Sequence, residues 1–134
     1  MTGRGALHHV EIWVEDLDEA NASWVWLLER LGYTLGDTWP EGASWRRGAT
    51  YLVFEAGPDR RPGRHDRRRA GLNHLAFHAG SPAEVDQLTV EATSRGWSLL
   101  FPEAHPHAGG PAHYAAYLEN RAGFEVELVA TSTP

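Results

Sequence analysis

Cysteine and lysine are both missing from this 134-residue chain. Without cysteine there is no disulfide, no zinc–thiolate site and no thiol nucleophile. The absence fits a reducing compartment, so a cytoplasmic location is expected. Without lysine, Schiff-base chemistry on a side-chain amine is excluded, and all twelve basic residues are arginine. No apolar run approaches the roughly 20 residues that a membrane span needs, and Met1-Thr-Gly-Arg-Gly lacks the apolar core of a signal peptide. The formal net charge of −6 disfavours a nucleic-acid partner. What remains has an ordinary globular composition. A length of 134 residues suits one domain, spanning 1–134, that buries roughly two-thirds of its unfolded surface.

The pattern that is present is a duplication. Leu7-His8-His9-Val10-Glu11-Ile12-Trp13-Val14 is matched by Leu72-Asn73-His74-Leu75-Ala76-Phe77-His78-Ala79, which sets His9 on His74. A helix start follows each copy, Asp16-Leu-Asp-Glu19 and Ser81-Pro-Ala-Glu84, with a capping residue and an acid three positions later. Gly32 lies 23 residues beyond His9 and Gly96 lies 22 beyond His74, each followed by an aromatic. Agreement in residue type, order and spacing over about 25 residues identifies an internal repeat.

Each half reads as strand, helix, then three strands. In the first, Val10, Ile12 and Val14 alternate with His9, Glu11 and Trp13, one face aliphatic and one polar. Leu17, Ala20, Trp24, Leu27, Leu28 and Leu31 follow at helical spacing up to Gly32. Trp24, Trp26 and Trp45 are candidates for core packing or interface anchors. Turn signals at Trp39-Pro40-Glu41-Gly42 and Arg46-Arg47-Gly48 precede a strand over 50–55, with Tyr51, Val53 and Glu55 on its second face. Residues 57–70 hold two prolines, two glycines and six arginines, which predicts a solvated linker, although clustered arginine suits a carboxylate or phosphate. The second helix buries Val85, Leu88 and Ala92 and stops at Gly96. A strand over 97–101 follows, then a loop over 102–111 long enough to fold over a pocket. Strands over 113–118 and 124–129 close the module around a turn at 119–123. Module one spans about 6–56 and module two about 71–131.

Aligning Phe54-Glu55-Ala56 with Val126-Glu127-Leu128 gives each half a histidine and a glutamate on its polar face: His9 with Glu55, His74 with Glu127. Imidazole and carboxylate ligate Fe, Mn, Co, Ni or Zn, and two histidines with one carboxylate leave positions open for substrate. Glu127 is the better ligand; Glu55 is either a ligand or an unbound base.

These residues resemble the vicinal oxygen chelate superfamily of glyoxalases, extradiol dioxygenases and bleomycin-resistance proteins. The resemblance rests on His-Val-x-Ile-x-Val-x-Asp-Leu at 9–17, Leu-Asn-His-Leu-Ala-Phe at 72–77 and Gly-Phe-Glu-Val-Glu-Leu-Val at 123–129. It implies an α+β fold of two tandem βαβββ modules forming a curved, partly open, eight-stranded barrel-like sheet with helices outside. It implies His9, His74 and Glu127 as ligands of a divalent metal (Ni, Zn, Mn, Fe or Co), and Glu55 where glyoxalase-like members place a fourth ligand. It also implies a homodimer. The family's last turn commonly reads Asp-Pro-Asp-Gly; Asn120-Arg121-Ala122-Gly123 stands here.

The function expected is that of a glyoxalase-like metal-dependent enzyme, a lyase, isomerase or addition catalyst, that binds a small substrate through neighbouring oxygens. Glu55 and His78 are the catalytic acid/base candidates, with Glu11, Tyr51, His113 and Tyr117 against the substrate. Extradiol dioxygenation fits less well, because those enzymes build the site in a longer chain. The alternative is a bleomycin-resistance-type protein that sequesters a small molecule without catalysis. An inert scaffold is a third reading. An intact His9, His74 and Glu127 set argues against both.

Overall fold

The computed structural model describes residues 3–131. Met1 and Thr2, part of the signal-peptide reading, and residues 132–134 of the 1–134 span lie outside them. The elements run β1 (His9–Trp13), α1 (Leu17–Arg30), β2 (Thr34–Trp39), β3 (Gly42–Arg47), β4 (Thr50–Glu55), β5 (His74–His78), α2 (Pro82–Ala92), β6 (Trp97–Leu99), β7 (Ala115–Asn120) and β8 (Glu125–Val129). The chain divides into two compact units between Arg64 and His65, within the arginine-rich segment. Each is a βαβββ module with its own open four-stranded sheet, an α+β architecture. No helix among the described residues is long and apolar enough to cross a membrane.

In the first module the strand order is β1-β4-β3-β2, with β1 parallel to β4 and both hairpin pairs antiparallel. The Asp16 carboxylate accepts from the Glu19 amide at 3.0 Å and caps α1, satisfying one of the helix's free N–H groups. Ala20, Trp24, Leu27 and Leu28 are buried, and the Trp24 ring packs 5.0 Å from Phe54. Trp24 and Trp45 are therefore core residues, 2% and 6% exposed, and the interface role expected of them is corrected. At Gly42 a side chain would meet the Phe54 carbonyl oxygen at 2.5 Å and the Trp39 ring at 2.7 Å, so only glycine lets Trp39 lie across β3.

In the second module the order is β5-β8-β7-β6, again with the first and last strands parallel. The capping box is complete: Ser81 Oγ accepts from the Glu84 amide and Glu84 Oε1 from the Ser81 amide, both at 3.1 Å. Val85, Leu88 and Ala92 are buried, in a helix that packs on β7 and β6.

Several boundaries in this module differ from those expected. The helix ends at Ala92 instead of running to Gly96. Just beyond it the Thr93 and Ser94 hydroxyls bond back to the Val90 and Glu91 carbonyls, a local alternative to the helical ladder. β6 ends at Leu99 because Phe101 adopts φ +52°, outside strand geometry. β7 starts two residues late, since the His113 amide bonds to Gly110 and the Ala115 amide to Pro106. It then continues to Asn120, which pairs with Trp97 and accepts the Phe124 amide at 2.9 Å.

Candidate functional site

The polar face of the second module converges on one carboxylate. In the β5–β8–β7 register His74 lies opposite Glu125, Ala76 opposite Glu127, and Glu127 opposite Tyr117. Cross-strand partners share a face, so His74, Glu125, Glu127 and Tyr117 all stand on one side of the sheet. Glu127 is 6% exposed. Its Oε1 lies 3.0 Å from His74 Nε2, and Oε2 accepts a short hydrogen bond from His113 Nε2. The Tyr117 hydroxyl donates to the same carboxylate. Burial alone would raise the Glu127 pKa, but the bonds from His113, Tyr117 and His74 outweigh it and hold the group below the usual carboxylate value. The Tyr117 phenol is pushed up to about 12 by burial, then by its bond to Glu127 and the charges of Glu127 and Glu125.

The second nitrogen of His74 is also engaged. Nδ1 lies 2.7 Å from Asn73 Oδ1, and Asn73 Nδ2 donates to the Arg67 carbonyl at 3.0 Å, which fixes the orientation of the amide. Both His74 nitrogens therefore face oxygen acceptors. A neutral imidazole carries one N–H, so the two contacts are both satisfied only by a doubly protonated ring or by a ring whose Nε2 lone pair would instead bind a cation. That donor chemistry fits a divalent ion. Among the described residues, no group of three or more His, Asp or Glu side chains stands ready-made to hold a metal: here the nitrogens lie on the carboxylate instead of around a common centre.

Two residues from irregular segments support this cluster. Arg67 leaves the solvated-linker role expected of its segment for the alternative, an arginine on carboxylates, pairing with Glu119 Oε2 at 3.1 Å and with buried Glu125 Oε1 at 3.2 Å. Gly109 brings the 102–111 loop down onto the site; a side chain there would lie 2.6 Å from the Tyr117 hydroxyl and 2.7 Å from His113 Cδ2. His113, expected against the substrate, bonds to Glu127 through Nε2.

In the first module His9 stacks on its register partner Tyr51, centroids 4.8 Å apart and planes 2° from parallel. The Arg46 guanidinium lies 4.7 Å from the Tyr51 centroid, and His8 Nδ1 meets His9 Nδ1 at 2.9 Å. Both acids are held by indoles: Glu11 Oε2 accepts from Trp13 Nε1 at 2.6 Å, and Glu55 Oε1 from Trp39 Nε1 at 3.1 Å.

The expected equivalence of Glu55 and Glu127 is corrected by the registers. Glu127 pairs with the residue two beyond His74, whereas the residue two beyond His9, Glu11, pairs with Val53. Val53 is thus the counterpart of Glu127, and Glu55 that of Val129.

His78 ends β5, exposed and opposite Val129. With His107, His113 and Tyr114 it lines a cavity of about 580 Å³ in the second module.

Residues 8–117 match the model of the Glyoxalase/Bleomycin resistance protein/Dioxygenase superfamily. The chain is 44% identical to the uncharacterized protein YqjT of Bacillus subtilis (strain 168), over 94% of this chain and 99% of that one. A crystal structure of a candidate glyoxalase from Bacillus halodurans is 46% identical, with a TM-score of 0.89 over 96% of this chain and 97% of that one. A glyoxalase/bleomycin resistance protein from Albidiferax ferrireducens T118, 22% identical, shares the fold with a TM-score of 0.72 over 93% of this chain and 98% of its own. The chain belongs to the Glyoxalase/Bleomycin resistance protein/Dioxygenase superfamily.

Proposed function

We propose that the chain is a glyoxalase-type, divalent-metal-dependent enzyme acting on a small molecule with neighbouring oxygens, by isomerisation, lyase-type or addition chemistry. The observation that supports the reading is the pair of oxygens flanking His74, Asn73 Oδ1 at 2.7 Å and buried Glu127 Oε1 at 3.0 Å, which sets an imidazole nitrogen beside an ionised carboxylate, the donor types of a divalent-metal site. His74 and Glu127 are ligands in this reading, and His9 is the third ligand that the family resemblance implies.

A bound ion (Ni, Zn, Mn, Fe or Co) supplies Lewis-acid polarisation of the substrate oxygens. The side chains do the rest. Asn73 Oδ1 would accept a hydrogen bond from His74 Nδ1–H, which would leave the Nε2 lone pair for the ion and orient the ring. His113 bonds to Glu127 Oε2, and the hydrogen bonds from His113, Tyr117 and His74 favour the ionised carboxylate that would hold the ion. Glu55 or His78 moves the substrate proton, and Glu11 and Tyr51 face the substrate beside His9.

Calorimetric titration of chelator-treated protein with Ni, Mn, Fe and Zn salts tests the reading. Uptake near one equivalent, lost in His74→Ala, supports it. Refusal of every metal overturns it in favour of a protein that sequesters a small molecule.

A further inference from the structure

Phe101 holds its place against two unfavourable terms. Its backbone sits at φ +52°, and among the described residues every other residue in the left-handed region is glycine. A bulky side chain there is strained. Its ring is also 40% exposed, so burial recovers only part of the apolar gain available to it. The local turn accounts for the backbone but not for the ring. The Phe101 carbonyl accepts from the Ala104 and His105 amides, both at 3.0 Å, and glycine makes such a turn without strain. What phenylalanine adds over glycine at this position is the ring alone.

That ring stands beside the polar cluster of the second module. Its centroid lies 5.7 Å from that of Tyr117, with the planes at 76°. Tyr117 in turn meets the His74 ring at 5.8 Å and 77°, and its hydroxyl bonds to Glu127. The loop that begins beyond Phe101 returns to the Tyr117 hydroxyl at Gly109, where the absence of a side chain leaves room for that contact. Tyr117 therefore joins an exposed apolar surface, Phe101, to the groups that handle oxygen, His74 and Glu127. A few polar groups beside aromatic walls are the usual make-up of a small-molecule site.

We infer that Phe101 is a specificity-determining residue, its ring and that of Tyr117 forming a nearly perpendicular corner that receives an aryl substituent of the molecule whose oxygens meet His74 and Glu127. For those oxygens the inference rests on the reading above; for the aryl group it rests on Phe101 and Tyr117. A flat ring can stack on one wall and turn its edge to the other, the two arrangements that aromatic pairs favour. A fully polar molecule gains neither contact.

The test uses the full chain, unaltered and as Phe101→Gly, a substitution that suits the left-handed backbone. In one arm both chains are loaded with nickel and titrated with benzohydroxamate and acetohydroxamate, which chelate through the same two neighbouring oxygens and differ by phenyl for methyl. The unaltered chain should prefer benzohydroxamate, and Phe101→Gly should reduce that preference by about tenfold, the scale of one aromatic contact with its buried area. A purely structural role for the ring would weaken both hydroxamates alike and leave the preference unchanged. In the other arm chelator-treated chains are titrated with benzamide and acetamide, which lack neighbouring oxygens and so need no metal. Heteronuclear NMR should show benzamide alone shifting the Leu100 and Tyr117 amides, an effect lost in Phe101→Gly. An unchanged hydroxamate preference in the variant, or benzamide shifts that lie elsewhere or survive the substitution, would overturn the inference. A chain that refuses nickel sinks the metal reading instead, and the benzamide arm then decides the role of Phe101.

Discussion

Arg67 Nη1 lies 3.2 Å from Glu125 Oε1, and the Glu125 side chain is only 3% exposed. The contact is an ion pair not aligned as a hydrogen bond, since that oxygen has no hydrogen-bond partner. Burial raises the Glu125 pKa, and the nearby arginine opposes the shift. Removing the arginine strands a charge inside the second module. Arg67→Ala should therefore cost about 3–5 kcal/mol, read as a fall in the urea midpoint, and Glu125→Gln added to it should recover part of the loss. An unchanged midpoint in Arg67→Ala would show that the pair is idle.

His65 stacks on Phe124 with centroids 4.2 Å apart, and its Nε2 is buried without a partner. Burial lowers its pKa from 6.5, against the opposing Leu72 carbonyl and Asp66. The unfolded chain therefore takes up the proton first. Stability is full above about pH 6.5 and falls as pH drops through that value towards the lower folded pKa. Denaturant titrations between about pH 5 and 7.5 should show the slope, and His65→Phe should flatten it.

Gly42 carries the Trp39 ring, and Trp39 in turn holds Glu55. Gly42→Ala should cost about 1–3 kcal/mol by overpacking and change the tryptophan fluorescence. Thermal unfolding that matches the unaltered chain would show that Trp39 can move aside freely.

Tyr117→Phe removes one of the bonds on Glu127. In the metal reading this should weaken metal affinity by about tenfold or more while leaving the apolar packing of the ring. Calorimetry separates that outcome from a simple loss of fold.

Much of this fold was legible because its signals are local. Ser81, Pro82 and Glu84 announce a helix that begins at Pro82, and the alternation after His9 predicts a strand with one polar face. The mispairing of Glu55 with Glu127 has a specific cause. A shift of two residues leaves every side chain on the same face, so alternation cannot tell Val53 from Glu55 as the counterpart of Glu127; only the cross-strand register does. That the arginine cluster suits a carboxylate and that the 102–111 loop can cover a pocket were legible, but the partners of Arg67 and Gly109 were not, because both lie in irregular segments whose path depends on distant contacts. Asn73 precedes His74 in the sequence, but its role depends on the Arg67 carbonyl that fixes its amide.

The most direct test of the central claim is metal content by elemental mass spectrometry on untagged protein, alongside His74→Ala and Glu127→Gln. Near one equivalent of a transition metal per chain, lost in both variants, is the predicted result. Metal retained in full by either variant would contradict the assignment of Glu127 and His74 as its ligands.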